Sequence, residues 1–289
     1  MPSTAPRYTL TLACRGGTGQ IARASTRLAK LGCYIDEMSV FDDTGNGRFF
    51  MRCVFHARHA VIDPSQLRHA LVGSDADDGF DMHWQLFEPG IRPRVLIMVS
   101  RLDHCLNDLI YRQRIGDIDM EIAAIVSNHA LLEPVATAAG LPFLHLPVEA
   151  GTRERQEERL LQLMQDSDSE LLILARYMQV LSHPTSQALA GRAINIHHSF
   201  LPGFKGARPY HQAHARGVKL IGATAHYVTD DLDEGPIIEQ VVERVDHAFT
   251  PERLQAAGRD MECQALARAV RYHLERRVFI SGSRVVVLR

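Results

Sequence analysis

The sequence lacks the features that would tie it to a membrane, a disulfide framework or a nucleic acid. Its 289 residues contain no apolar run of about 18 residues, the length that a membrane-spanning helix needs. The opening MPSTAPRYTL has no apolar signal core, so a cytoplasmic, reducing compartment is expected. The five cysteines (Cys14, Cys33, Cys53, Cys105, Cys263) are scattered and odd in number. None stands in a C-x-x-C pair, so neither a disulfide framework nor a thiolate zinc site is indicated. With 32 Lys and Arg against 34 Asp and Glu there is no basic surplus to neutralise a phosphate backbone, and nucleic acid is not an expected partner. A local basic groove would still be compatible with that total. Internal repeats and low-complexity segments are also missing. What remains, 46% hydrophobic and 23% charged residues, is the balance of an ordinary globular protein long enough for two domains or one large one.

Two textures divide the chain. Residues 8–14 (YTLTLAC) are β-rich and stop at a cluster of Gly16, Gly17 and Gly19. Ile21, Ala24, Leu28 and Leu31 follow at helical spacing, and Gly32 suits a left-handed terminator. The pattern predicts a strand over 33–41, a reversal at Asp43-Thr44-Gly45-Asn46-Gly47, and a return strand. In that strand Phe49, Met51, Cys53 and Phe55 alternate with Phe50, Arg52 and Val54, giving one well-buried face. Pro64 opens a helix containing Leu67, Ala70 and Leu71, and residues 80–87 (FDMHWQLF) read as a last strand. The order β-α-β-β-α-β is a ferredoxin-like α+β arrangement. The glycine cluster lacks a G-K-[ST] ending, which favours a turn over a phosphate loop. Residues 88–93 (EPGIRP) are turn-prone and stiffened by two prolines. The expected organisation is a domain over 1–88, a linker over 89–93 and a second domain over 94–289.

In the second texture the apolar runs are continuous. VLIMV (95–99), EIAAIV (121–126) and LLILA (171–175) suit strands covered on both faces, as in a parallel sheet flanked by helices. Helical stretches fall at 130–139 and 152–165, so the alternation predicts a doubly wound, Rossmann-like α/β domain. Thr250 and Pro251 read as a cap and first helical residue. The helix they open runs to about Arg277, before a terminal strand near Val285 to Leu288.

Ligands of open parallel sheets bind beyond the carboxyl ends of the strands. Polar segments follow apolar strands here at Ser127-Asn128-His129, at Arg176-Tyr177-Met178-Gln179 and at Asn195-Ile196-His197-His198-Ser199. A fourth, Thr229 to Pro236, follows GATAHYV (222–228). Any one of them reads equally as a solvated turn. Asn195 and His197, however, are alternate residues of a strand and point to the same side. Imidazole takes and gives a proton near neutral pH, an amide N–H can stabilise an oxyanion, and a carboxylate such as Asp233 can hold a water. Those groups suffice for attack of water or an amine on a small carbonyl. His197, His198, His211, His214 and His226 match no metal-ligand spacing, so no metal is expected.

Several of these segments carry a resemblance. INIHHSFLP (194–202), GARPYHQAHARGVKLIGATAHYVTDDLDEGPIIEQ (206–240), VSRLDHCLNDL (99–109), SNH (127–129) and LARYMQVLS (174–182) resemble the 10-formyltetrahydrofolate deformylases of the formyltransferase superfamily. The likeness extends over essentially the whole chain, and the first 88 residues resemble an ACT domain. It implies a hydrolase that releases formate and tetrahydrofolate from 10-formyltetrahydrofolate, supplying formate for purine synthesis and balancing the one-carbon pool. It also implies Asn195, His197 and Asp233 as the catalytic trio, with no cofactor, since folate is the substrate. By the same similarity Met178, Gln179, Val180 and Leu181 line the folate pocket, where the three apolar members would serve equally well as core. His226 reads either as a supporting partner or as a packed strand histidine. Tyr210 and His211 stand in a loop with Pro202, Gly203, Gly206 and Pro209 that could close over substrate, and are left outside the first ring of residues.

An ACT domain implies a homo-oligomer and a small amino-acid effector. Relatives carry a Pro-Asp turn after the first strand, whereas this chain has Cys14 to Gly19, and a ligand-free dimerisation wing fits as well. Three functions are compared: the hydrolase, a formyltransferase to a bulkier amine, and a non-catalytic sensor. One physical point favours water as acceptor. Backbone N–H groups approach a phosphate closely only where side chains are absent. The turn Ser100-Arg101-Leu102-Asp103-His104-Cys105 has no glycine and carries an extra carboxylate, although Arg101 could still meet an anion.

Overall fold

The computed structural model describes residues 5–58, 63–72, 81–149, 151–200 and 209–289. Two compact units divide it: Met1–Ile91 with Arg276–Phe279 and Val286–Arg289, and Arg92–Glu275 with Ile280–Val285.

The first unit contains β1 (Tyr8–Arg15), α1 (Gln20–Lys30), β2 (Cys33–Asp43), β3 (Arg48–Ala57), α2 (Pro64–Val72) and β4 (His83–Phe87). Its sheet has the order β2-β3-β1-β4 with antiparallel neighbours throughout, the arrangement that the β-α-β-β-α-β pattern predicts. Alternation places Phe49, Met51, Cys53 and Phe55 in a core with Leu10, Leu12, Leu28 and Trp84. The opposite face is less open than alternation suggests. Phe50 is 2% exposed, and its ring lies 5.3 Å from that of Phe279. Arg52 pairs with Glu37 at 2.8 Å, and Arg277 reaches the same carboxylate at 3.2 Å. Arg276–Phe279 and Val286–Arg289 are therefore part of this unit, a relation that no local pattern signals because it joins residues from opposite ends of the chain.

The second unit contains β5 (Arg94–Val99), α3 (His104–Arg114), β6 (Glu121–Ser127), α4 (Glu133–Ala138), β7 (Phe143–His145), α5 (Arg153–Asp166), β8 (Leu171–Leu174) and α6 (His183–Ala188). It continues with β9 (Ala193–His197), α7 (Pro209–Arg216), β10 (Leu220–Tyr227), β11 (Ile237–Arg244) and α8 (Pro251–Leu274). The sheet order is β11-β10-β9-β8-β5-β6-β7. From β7 to β9 the strands are parallel, while β10 and β11 run antiparallel. The continuous apolar runs are buried on both faces, with Leu96, Met98, Leu172 and Leu174 in one core. Thr250 caps α8 by accepting from the Arg253 N–H at 3.4 Å, and Pro251 follows as the first helical residue. The helix ends at Leu274, short of Arg277, because Arg276 turns left-handed at φ 60°. Instead of one terminal strand, β12 (Val278–Ser281) and β13 (Arg284–Val287) form a hairpin.

Chain connections leave β5 toward β6 and β7 on one side and return to β8 and β9 on the other. The carboxyl ends of β5, β8 and β9 thus flank the point where strand order reverses, the crevice of doubly wound sheets.

Candidate active site

Register on β9 fixes the first two side chains. β9 pairs with β10 so that Asn195 lies opposite His226 and His197 opposite Thr224. All four share one side of the sheet. The pairing of β10 with β11 slips between Ala225 and His226, a bulge beside the site.

Asp233 comes to them on the loop after β10. That loop folds back tightly: a Cβ on Gly235 would stand 1.7 Å from the Tyr227 carbonyl oxygen, so only glycine fits. Asp233 itself has φ 59°, a conformation that Asp tolerates better than most residues and that concentrates at functional sites. Its carboxylate is where the polar groups meet. His197 Nδ1 lies 3.1 Å from Oδ2, and His226 Nε2 lies 3.6 Å from Oδ1. Asn195 Nδ2 donates to Oδ1 at 3.5 Å and faces His226 Nε2 at 3.3 Å. Burial opposes ionisation of Asp233, but hydrogen bonds and charge from His197 and His226 outweigh it and hold its pKa well below the usual carboxylate range.

The two histidines differ in tautomer logic. His226 is 2% exposed, and its Nδ1–H donates to the Tyr227 carbonyl at 2.9 Å. Its Nε2 is then free to accept from Asn195 when the ring is neutral, or to turn a proton toward Asp233 when it is charged. For His197, Nδ1–H faces the ionised Asp233 and Nε2 meets Ser199 Oγ at 2.8 Å. Ser199, His197 and Asp233 therefore have the hydrogen-bond spacing of a nucleophilic triad. Ser199 is 6% exposed and is not among the residues lining the cavity, a position suited to fixing the ring. Sequence reasoning gave Ser199 no role; its position two residues beyond His197 was the available signal. His198 stacks on His197 at 4.9 Å, and burial together with the Arg176 charge lowers its pKa to about 4.

A cavity of about 590 Å³ opens on the trio. Met178, Gln179, Val180, Leu181 and His226 all line it, so the structure brings these sequence-predicted residues together with Asn195, His197 and Asp233. Leu181 is buried, whereas Met178 and Val180 are 57% and 49% exposed, which removes the reading of those two as core. Their segment is pinned from behind. The Met178 N–H donates to Ser100 Oγ at 3.0 Å, and that hydroxyl donates to Asn128 Oδ1 at 2.8 Å. Arg153 donates to the Val180 carbonyl. Buried Glu157 accepts from the Ser182 N–H at 2.9 Å and from Thr185 Oγ1 at 2.8 Å. Sequence reading gave no part to Glu157, because a carboxylate inside a helix looks like any exposed one until its partners are known. Tyr210 lies within α7, donating toward the His198 carbonyl at 3.3 Å, while Pro202, Gly203 and Gly206 lie outside the described residues.

Among the described residues, His104, Cys105 and Glu262 have ligand atoms within 4.8 Å of one another, a grouping that could hold a metal ion. Arg176 Nε stands 3.3 Å from Glu262 Oε2 and already supplies positive charge there. Among the described residues no helix is long and apolar enough to cross a membrane.

Residues 93–270 match the formyl transferase family. The formyltetrahydrofolate deformylase of Corynebacterium sp. (strain P-1) is 48% identical over 98% of both chains. The crystal structure of the formyltetrahydrofolate deformylase from Burkholderia mallei ATCC 23344 is 56% identical with a TM-score of 0.92, covering 98% of this chain and 100% of that one. Glycinamide ribonucleotide transformylase 1 from Symbiobacterium toebii is 32% identical with a TM-score of 0.66, covering 71% of this chain and 98% of that one. The chain belongs to the formyltetrahydrofolate deformylase family.

Proposed function

We propose that the protein hydrolyses 10-formyltetrahydrofolate to tetrahydrofolate and formate, with Asn195, His197 and Asp233 as its catalytic residues. The observation that carries this reading is the convergence of Asn195 Nδ2 and His197 Nδ1 on the Asp233 carboxylate at the mouth of a partly apolar cavity. Met178, Val180 and Leu181 supply surface for the folate rings, and the backbone groups of the same segment supply polar contacts.

Water held by Asp233 attacks the formyl carbon, and the developing oxyanion takes hydrogen bonds from Asn195 and protonated His197. A low carboxylate pKa suits orientation more than proton capture. As the His197 N–H turns from Asp233 to the oxyanion, the carboxylate loses its main stabilising partner and its basicity rises when the water proton must leave. That proton passes to the folate nitrogen as the C–N bond breaks. Any metal at His104, Cys105 and Glu262 would compete with Arg176 for the same carboxylate.

The glycine-free turn after β5 favours water as the acceptor, because it offers no close backbone cradle for a phosphorylated amine. Physiologically the activity supplies formate for purine synthesis and balances the one-carbon pool in the cytoplasm. Residues 1–88 act as an ACT-like regulatory or dimerisation domain, joined by residues 89–93 to a catalytic domain that begins at residue 94, while Arg276–Phe279 and Val286–Arg289 belong to the first unit. Exposed Tyr34, Val40 and Phe41 on the edge strand β2 support pairing into a homo-oligomer, at whose interface a small amino acid would bind as effector. The test is to incubate purified protein with 10-formyltetrahydrofolate and no amine. Formate and tetrahydrofolate should form in equal amounts; tetrahydrofolate appearing only when an amine is added would make the protein a transferase.

A further inference from the structure

The mechanism leaves one buried polar cluster unused. Glu262 of α8 is 2% exposed, and its Oε2 meets His104 Nε2 at 2.8 Å and Arg176 Nε at 3.3 Å. Its Oε1 accepts from Tyr210 Oη at 3.3 Å, the same hydroxyl that faces the His198 carbonyl. Burial opposes the charge on Glu262, but the His104 hydrogen bond and the Arg176 and His104 charges hold its pKa below the ordinary value. Arg176 is close enough to Glu262 for an ion pair, yet its buried Nε is not aligned as a hydrogen-bond donor.

Stability does not account for such a cluster. A buried ion pair commonly gains less than apolar residues of the same volume would. Two backbone features add to its cost. Arg176 has φ 65°, a left-handed conformation that glycine would adopt freely and that strains any other residue. Gly258, inside α8, leaves room for Tyr210, whose Oη would stand 1.8 Å from a Cβ at that position. Glycine within a helix is less stable there than alanine.

Position supplies the missing reason. Arg176 and His198 line the same cavity as Asn195, His197 and Asp233. The apolar lining suits the folate, so the cluster is what an incoming acceptor and its substituents would meet. We propose that Arg176, held by Glu262, which His104 and Tyr210 hold in turn, determines acceptor specificity: it fills the space that a substituted amine would need beside the formyl carbon and leaves room for water. This rests on the hydrolase reading above. The step that it blocks is defined: the amine nitrogen would bond to the formyl carbon, the bond to the folate nitrogen would break, and the amine proton would leave with tetrahydrofolate.

Glycinamide is a suitable probe, with formylglycinamide and formate measured together. Wild-type protein should give formate alone. Arg176→Gly, which also relieves the left-handed arginine, should raise the ratio of formylglycinamide to formate at least about tenfold, the range that small changes in pocket volume produce. The double variant Arg176→Gly/Glu262→Gln also removes the buried charge that Arg176 offsets and should behave alike. Formylation of glycinamide by the wild type, or formate as the sole product of a folded variant, would overturn the proposal. If neither variant folds, wild-type transfer to hydroxylamine but not to glycinamide supports it, and equal transfer to both overturns it. Absence of formate from the wild type without amine would instead defeat the hydrolase reading.

Discussion

His197 Nδ1 and Asp233 Oδ2 lie 3.1 Å apart although they come from different elements, a strand end and the loop after the neighbouring strand. The contact needs the antiparallel β9–β10 pairing and the tight return that Gly235 permits. It joins the group proposed to hold water to the group proposed to stabilise the oxyanion.

Asn195 is the proposed second donor. Its Nδ2 already reaches toward Asp233 and His226, so a formyl oxygen entering there can exchange for one of these partners. Asn195→Ala should lower kcat by on the order of 100- to 1000-fold while folate binding remains measurable. Steady-state formate release decides it, and near wild-type turnover would remove Asn195 from the oxyanion site.

Ser199 separates positioning from nucleophilic catalysis. If it only orients His197 through the 2.8 Å contact at Nε2, Ser199→Ala forfeits about one hydrogen bond, worth ~1 kcal/mol, or about five- to tenfold in turnover. A nucleophilic serine would be worth on the order of a million-fold. Comparing kcat of the variant and wild type distinguishes the two at once.

Gly235 tests the loop that delivers Asp233. Because a Cβ would stand 1.7 Å from the Tyr227 carbonyl, Gly235→Ala must displace the loop. A misplacement of about 1 Å in a catalytic group costs on the order of 100-fold. Turnover should fall by that order and Tm should drop, as read by activity and thermal melting; an unchanged kcat would mean that the loop position does not set the rate.

The low pKa of Asp233 has a signed consequence for stability. A folded pKa below the ordinary 3.8 means that ionised Asp233 stabilises the native state fully above that value. The contribution is lost as pH falls below 3.8 toward the depressed folded value. The Tm difference between wild type and Asp233→Asn should therefore stay level from about pH 5 to 8 and shrink below about pH 4. Melting curves across that range check the sign; a difference that grew on acidification would reverse it.

Much of this was legible in the sequence because it is local. The continuous runs at 95–99 and 171–175 encode two-sided burial directly, and alternation from Phe49 to Phe55 marks which face joins the core, though not that Phe50 behind it is also buried. Asn195 and His197 were readable as a pair because a strand repeats every second residue. Their meeting with Asp233 came from resemblance, since strand pairing between β9 and β10 has no local signal. Ser199, Glu157 and the Arg176–Glu262 pair were not legible. Each acts through a partner distant in the chain or through an orientation that residue type alone does not fix. The placement of the tail is hidden for the same reason: Phe279 and Arg277 find their partners, Phe50 and Glu37, in the first unit.

Asp233→Asn offers the most direct test of the central claim, because asparagine also tolerates φ 59° and keeps the loop while removing the charge. Formate release without amine should fall by on the order of 100- to 1000-fold, with tetrahydrofolate affinity changed little. A folded Asp233→Asn protein that released formate at the wild-type rate would contradict the account.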